Sequence, residues 1–407
     1  MLIFKTNSNG GPADCVQTVM RPLILALAFV LFTGSLVFVR ASSSLAFLGA
    51  EGFGQCASGG KSGEVIHVTT LDDAGPGSFR SAVSQPHRVV VFDVGGIIRL
   101  QSNVAVSSDI SLLGQTAPGD GVMLYGRSVS FSGQKNIIVR YLRFRQGIAG
   151  DRGKCSVNLS GGSTMIFDHC SIQWGRWDCL GLTQGSRDIT FQNCIIGEGV
   201  DPQRFGSLSD AVTNITYTHN LWINNQSRNP KAKGRIQYIN NVVCNWGVCG
   251  LVGGHSAGDH FLDAVGNYFI AGPQSGTHAV GEFKATDHIF QQDNFADLDK
   301  NGKLDGHLLA PGNFGSGEGA PTFVTTPTVG PLTNVTIESA QSALSHVIAH
   351  AGCSLHRDSV DARLIDEVTS YGTRGAIIHS EVEVGGPGDL KEVHAPARLQ
   401  ALDSENF

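Results

Sequence analysis

Along its middle the chain repeats one short pattern: an apolar residue, a few mixed positions, a small polar or thiol residue, then more apolar residues. Blocks of this kind start at Val139, Phe167, Phe191, Tyr217, Tyr238, Ala264 and Phe290, which lie 28, 24, 26, 21, 26 and 26 residues apart. Inside each block the apolar positions alternate or run together briefly between Gly, Asn, Asp and Ser, as short strands do. A unit of about 25 residues cannot bury its apolar face alone, whereas stacked units enclose one continuous interior. The spacing therefore predicts an all-β chain wound as a right-handed parallel β-helix. Leucine-rich repeats share the period, but their L-x-x-L-x-L series is missing.

In such a stack the fourth positions of the blocks fall above one another. This puts Cys170 over Cys194 as inward thiols, small hydrophobes rather than a disulfide, and lines up Asn220, Asn241 and Asn267 as a ladder of side-chain amides. Past residue 330 the period becomes helical, at 336–351 and again at 357–371 through Val360, Leu364, Ile365 and Val368. These segments read as a short helical C-terminal cap. From Gly385 onward Gly, Pro and charge dominate, as in a loosely held tail. The expected division is an N-terminal extension with signal peptide at 1–46, a β-helix domain at 47–330, the helical cap at 331–385 and a flexible tail at 386–407.

The extension rests on a single apolar run, residues 23–39, bracketed by Arg21 and Arg40 and followed by small residues up to Ala46. That is the layout of a secretory signal peptide, with Met20 as a second candidate start. An uncleaved anchor is the alternative, since about 17 apolar residues reach the lower limit for a span. Cleavage would leave a secreted, extracellular monomer without stable membrane association and would remove Cys15, one of nine cysteines. The remaining even number permits disulfides, and the pairing stays open.

Composition narrows the picture. Glycine supplies 52 of 407 residues and charged residues only 16%, so the chain turns often and buries much of itself. A net charge of −6 offers no basic footprint for a phosphate backbone, which excludes a general nucleic-acid partner. Hydrophobic content of 41% excludes a disordered chain.

Three segments concentrate acidic, basic and aromatic residues on consecutive expected coils, at 167–178, 197–204 and 225–233. Loops of equal phase emerge on one side of a solenoid, so the three would line one groove. Arg228, Lys231 and Lys233, with Pro230 between them, make a cationic run suited to carboxylates. A solvated basic turn is the plain alternative. Trp174, Trp177, Trp222 and Trp246 could stack on sugar rings, although interior positions are commoner for tryptophan in a coil.

The opening Gly49-Ala-Glu-Gly-Phe-Gly54, the strand and turn at Phe167-Asp-His169, the Arg228-x-Pro230 element and the helical Arg357-Asp-Ser-Val-Asp-Ala-Arg363 resemble pectate lyases of the first polysaccharide lyase family, over residues 47–385. The resemblance implies a right-handed parallel β-helix and calcium-assisted β-elimination of polygalacturonate or pectin. In that reaction the C5 proton of a galacturonate unit is removed and the 4-linked oxygen leaves. Because the proton is poorly acidic, a hard divalent cation on the substrate carboxylate would stabilise the enolate-like charge. By similarity Arg228 takes the base role, Lys231 or Lys233 binds substrate, Arg204 stands near a further substrate-binding position, and Asp178 is a Ca2+ ligand. An arginine base strains ordinary reasoning, because guanidinium stays protonated; charge stabilisation is its other possible role.

The chain departs from the family where a second acid is expected, having Cys179 and Leu182, and where an acid near residues 155–157 is expected, with Asp151 as the nearest. Glu198 and Asp201 on the following coil are the candidates to complete the Ca2+ site. A glycan-binding β-helix without turnover is the competing reading, and no pair of acids suits a hydrolase. Asp168 and His169 are expected to brace a strand end. Apart from the groove, Asp297, Asp299, Asn301 and Asp305 match the start of a D-x-D-x-N-G calcium loop, with Leu308 where a bidentate Glu would stand. His255, Asp259 and His260 offer a weaker transition-metal pattern, against a turn bordering the groove.

Overall fold

The computed structural model describes residues 44–254, 256–314 and 319–395. The expected signal segment at 23–39, Cys15, His255 and the tail from residue 396 lie outside them. Short strands wind into a right-handed parallel β-helix with three faces and about nine coils. One face carries the strands Val157–Ser160, Asp178–Thr183 and Cys249–Val252; a second carries Lys135–Arg140, Ser163–Asp168, Arg187–Gln192 and His260–Val265. The third runs from Val94–Arg99 through Arg143–Arg145, Ser171–Gln173, Ile195–Gly197 and Leu221–Ile223 to Phe295–Asp297. Two long strands, Phe205–Thr218 and Lys231–Ile239, bend from the first face into the second, with register shifts around Val212.

The register follows the repeat. Val139 pairs with Phe167, Phe167 with Phe191, Phe191 with Tyr217, Tyr217 with Tyr238 and Tyr238 with Ala264. The last expected step slips by one, because Ala264 faces Gln291 and not Phe290. Ile289 is the inward residue there and Phe290 is only half-buried, so an apolar pattern that chooses the larger side chain misplaces the coil. Asn294 therefore joins the amide ladder. Asn220 Nδ2 donates to Asn241 Oδ1 at 2.9 Å, Asn241 to Asn267 at 3.2 Å and Asn267 to Asn294 at 2.8 Å. All four are buried, where an amide left without its partner costs about 1–3 kcal/mol.

Each ladder residue follows a left-handed corner: His219 has φ 54°, Asn240 φ 55°, Gly266 φ 63° and Asp293 φ 53°. Asn, Asp, His and Gly tolerate that region best. Beside the ladder Phe167 and Phe191 stack at 4.6 Å and Phe191 and Tyr217 at 5.7 Å, pairs worth about 0.5–1.5 kcal/mol each beyond burial. Cys170 and Cys194 are buried and unpaired, and the buried Cys155, Cys179, Cys244, Cys249 and Cys353 are free as well.

The C-terminal helices Ala340–His350 and Ser359–Val368 lie along the outer side of the third face, not over an end of the coil. That side is apolar in the middle coils, where Ile195, Leu221 and Val242 meet Leu344, Val347 and Leu364. The coil's own first end is closed by the short helix Phe79–Ala82, whose Phe79 enters the main core. Within the expected tail, Val393–His394 pairs antiparallel with Gly95 and Val94, because the first strand of the third face offers an open edge. At the other end of the described chain the opening glycines lie flat on the second face. A Cβ on Gly54 would stand 2.0 Å from the Met165 carbonyl oxygen. Among the described residues no helix is long and apolar enough to cross a membrane.

Candidate active site

The corner leading from the third face into the first repeats on successive coils, and the segments singled out by sequence stack there. Val200 N donates to Gly175 O, Gln226 N to Arg204 O, and Gly247 N to Asn225 O. Arg228, at φ 64°, comes off this corner and reaches back over the two preceding coils. Its Nη1 donates to Asp178 Oδ1 at 3.2 Å and Oδ2 at 3.4 Å, while the guanidinium carbon sits 4.1 Å from the centre of the Phe205 ring. Gly206 allows the approach, since a Cβ there would meet the Arg228 carbonyl oxygen at 2.4 Å.

Lys231 and Lys233 follow on the strand Lys231–Ile239, two residues and thus about 7 Å apart on one side of it. Lys233 Nζ lies 3.1 Å from Asp210, and Lys231 Nζ lies 3.9 Å from Glu282. Burial pushes the Lys231 ammonium below its ordinary value; Glu282 opposes this, while Arg228 and Lys233 add to it. Asp178 moves the other way. Burial lifts it to about 6, against the pull of Arg228 and Lys231. A hidden carboxylate and a half-hidden amine, each disfavoured in its charged form, thus share one groove with an arginine. Such opposed environments are what proton-handling sites use.

Other expected residues divide. Glu198 is a correction: it does not face the groove. From a left-handed corner at φ 53° it turns to the outer side of the third face, where Arg363 Nη1 donates to its Oε1 at 2.8 Å and Trp174 Nε1 to its Oε2 at 3.1 Å. It is fully buried and already neutralised, which removes it as a metal ligand. Asp201 is held by His379 at 3.1 Å and by Arg204 at 3.4 Å, so Arg204 is engaged with its own loop. Asp151 is exposed beside Arg127 at 3.9 Å and opens, with Lys154 and Asn158, a cavity of about 340 Å³ further along the coil. Among the described residues, Asp151, Asp178, Glu198 and Asp201 belong to no group of three or more converging metal-ligand atoms. Leu182 packs in the interior and Cys179 is buried with its Sγ 3.2 Å from Gly197 O, so neither position of the missing acid is exposed.

Asp168 and His169 brace a different corner, between the second and third faces. Burial raises Asp168, but His169 at 2.7 Å and Arg140 at 2.8 Å hold it below the usual carboxylate range. Trp174, Trp222 and Trp246 are buried, whereas Trp177, next to Asp178, is 39% exposed. Asp297, Asp299 and Asp305 do converge, with carboxylate oxygens within 4.8 Å of one another, and Asn301 Nδ2 donates to Asp299 at 2.6 Å. The weaker pattern does not assemble in the described residues: Asp259 turns to His288 at 3.4 Å and His260 to Ser256 at 2.7 Å.

Sequence reasoning missed Phe205, Asp210 and Glu282. The available signal was register: Phe205 pairs with Asp178 and Asp210 with Lys233.

No family model matches the chain. The probable pectate lyase C of Aspergillus fumigatus is 42% identical over 372 residues, covering 91% of this chain and 86% of that one. The counterpart in Aspergillus terreus is 43% identical over 350 residues, covering 86% and 83%. Among solved structures, a thermostable pectate lyase is 16% identical with a TM-score of 0.54, covering 76% of this chain and 98% of that one. A pectate lyase bound to a hexasaccharide is 14% identical with a TM-score of 0.54, covering 78% and 100%. The structures share the coil, and the sequence identity carries the rest: the chain belongs to the pectate lyases, a family of polysaccharide lyases.

Proposed function

We propose that the groove holding Asp178, Arg228, Lys231 and Lys233 cleaves polygalacturonate by β-elimination, with removal of the C5 proton of a bound galacturonate. The observation that carries this reading is the Arg228 guanidinium spread between the Asp178 carboxylate and the Phe205 ring, with two lysines of the same run alongside. Lys231 and Lys233 bind uronate carboxylates, about one strand dipeptide apart. Asp178 sets the height and angle of the guanidinium. Trp177 offers an exposed face for a sugar ring.

The family uses calcium, and the donor chemistry here allows one protein anchor. A carboxylate offers about four acceptor positions, and Arg228 occupies two of those on Asp178. Since Ca2+ takes about 6–8 oxygens, uronate carboxylates and water would supply the others. A calcium ion held there would withdraw charge from the substrate carboxylate and make the C5 proton easier to remove. In this reading Arg228 receives that proton or stabilises the charge it leaves behind.

A second assignment within the same site is favoured by the depressed ammonium of Lys231: the lysine takes the proton and Arg228 neutralises the carboxylate. Lys231→Arg and Arg228→Lys separate the two. A lysine base gives a rate that rises with pH through the lysine's own titration, and Lys231→Arg removes that limb. With an arginine base the profile carries no such limb, and Lys231→Arg leaves its shape unchanged.

The test of the reading as a whole is incubation of the protein with polygalacturonate, with and without a calcium chelator, followed by ultraviolet absorbance. Unsaturated ends that accumulate with calcium and stop with chelator support it. Binding without new absorbance favours a glycan-binding coil. Export belongs to the same proposal, because a polymer of this kind is met outside the cell; an N-terminus near residue 47 on protein from the medium supports it, and retention of residues 23–39 in a membrane fraction opposes it.

A further inference from the structure

At the corner between the second and third faces, remote in the coil's cross-section from the groove, two histidines and a glutamate from distant parts of the chain point at one spot. His219 occupies a left-handed corner just before the ladder residue Asn220. Glu338 stands immediately before the capping Ser339 of helix Ala340–His350, and His346 lies within that helix. One ligand atom from each falls within 4.8 Å of the others. His346 Nδ1 is 3.3 Å from Glu338 Oε1, and His219 Nε2 is 4.0 Å from the same oxygen.

Two further observations point to a ligand there. His219 is 4% exposed and its Nε2 makes no hydrogen bond, although its Nδ1 is tied to Thr218 Oγ1 at 2.8 Å. A buried ring nitrogen without a partner is costly unless something fills the place. His346 poses a second accounting problem, because Nε2 faces Asn193 Oδ1 at 3.1 Å and Nδ1 faces the Glu338 carboxylate. Both neighbours are acceptors, and a neutral imidazole has only one N–H to give.

We propose that His219, Glu338 and His346 form a site for a divalent transition metal of the Zn2+ class, which fastens helix Ala340–His350 to the β-helix. Donation from His219 Nδ1 to Thr218 leaves the Nε2 lone pair for the metal, and donation from His346 Nε2 to Asn193 leaves Nδ1. These are the outer partners that metal-bound histidines use to fix their tautomers. Tetrahedral Zn2+ at about 2.0–2.1 Å from each ligand sets neighbouring ligand atoms about 3.3 Å apart, which the His346 to Glu338 spacing already meets and the His219 spacing approaches. Imidazole and carboxylate together suit Zn2+ better than Ca2+.

The experiment uses the full chain, stripped with chelator, dialysed and titrated with Zn2+ and separately with Co2+. Expected are about one Zn2+ per chain by elemental analysis, intense visible bands with Co2+ of the kind tetrahedral sites give, and a rise in Tm on adding Zn2+. Glu338→Gln and His346→Gln, at half-exposed positions that tolerate substitution, each weaken Zn2+ binding by at least about 100-fold and remove the Tm gain, while Asp299→Asn leaves both intact. Absence of stoichiometric Zn2+, binding unchanged in both of the first two variants, or binding lost in Asp299→Asn would each overturn the proposal.

Discussion

Two places in the molecule bring acids and arginines together from distant parts of the chain, and they behave oppositely. Under the helix Ser359–Val368, Arg143 and Arg145 meet Asp358 and Asp361 with the guanidinium and carboxylate groups almost wholly buried. Arg145 Nη2 donates to Asp361 at 2.8 Å, and Ser171 Oγ donates to the same carboxylate at 2.6 Å. In the groove Arg228 is 20% exposed in its side chain, and its bonds to Asp178 are long at 3.2 and 3.4 Å. Burial pushes Asp358 up, yet Arg145 and then Arg143 hold it at about 2, whereas Asp178 ends near 6. The same residue types thus make a closed structural clasp where pairing wins and, in the groove, a looser pair where desolvation wins.

Cutting the clasp is expected to produce the largest change in stability. Asp361→Ala leaves two buried guanidinium groups to share the one Asp358 carboxylate and costs about 3–5 kcal/mol, read by denaturant unfolding; a loss below about 1 kcal/mol would make the clasp incidental. The groove answers to pH with the opposite sign. Asp358 has a lowered pKa, so its contribution is present above the unfolded value near 4 and is lost as pH falls through about 2. Asp178 has a raised pKa, so the folded state binds its proton more tightly and stability is lost as pH rises from about 4 through about 6. Asp178→Asn is therefore expected to gain in Tm over the parent protein between about pH 4 and pH 7. A pH-independent gap between the two melts would refute the raised carboxyl. Smallest is Trp177→Ala, expected to raise KM for polygalacturonate several-fold with kcat little changed; a collapse of kcat instead would move Trp177 into the chemistry.

Much of this contrast was legible in the chain. The repeat fixed the coil and five register steps, since inward positions must recur in phase, and equal phase correctly brought Arg228 to Asp178. Glu198 was misplaced because a single left-handed corner turns a side chain from the groove to the opposite flank, and composition carries no mark of that turn. Asp358 and Asp361 showed a helix in sequence but not its docking, which depends on Arg143 and Arg145 more than two hundred residues earlier. The convergence of Asp297, Asp299 and Asp305 was readable because the loop is local. The meeting of His219 with His346 was not, because it joins a coil corner to a helix across 127 residues.

The most direct measurement is the initial rate of unsaturated-end formation from polygalacturonate by Arg228→Ala and by the parent protein, alongside their melting curves. The expected result is a fall of about 10³-fold, the scale for removing one charge-stabilising donor, with Tm unchanged within a few degrees because the Arg228 side chain keeps contact with solvent and lies outside the clasp. A variant that keeps its rate within several-fold, while folding normally, would contradict the assignment of the groove as the catalytic site.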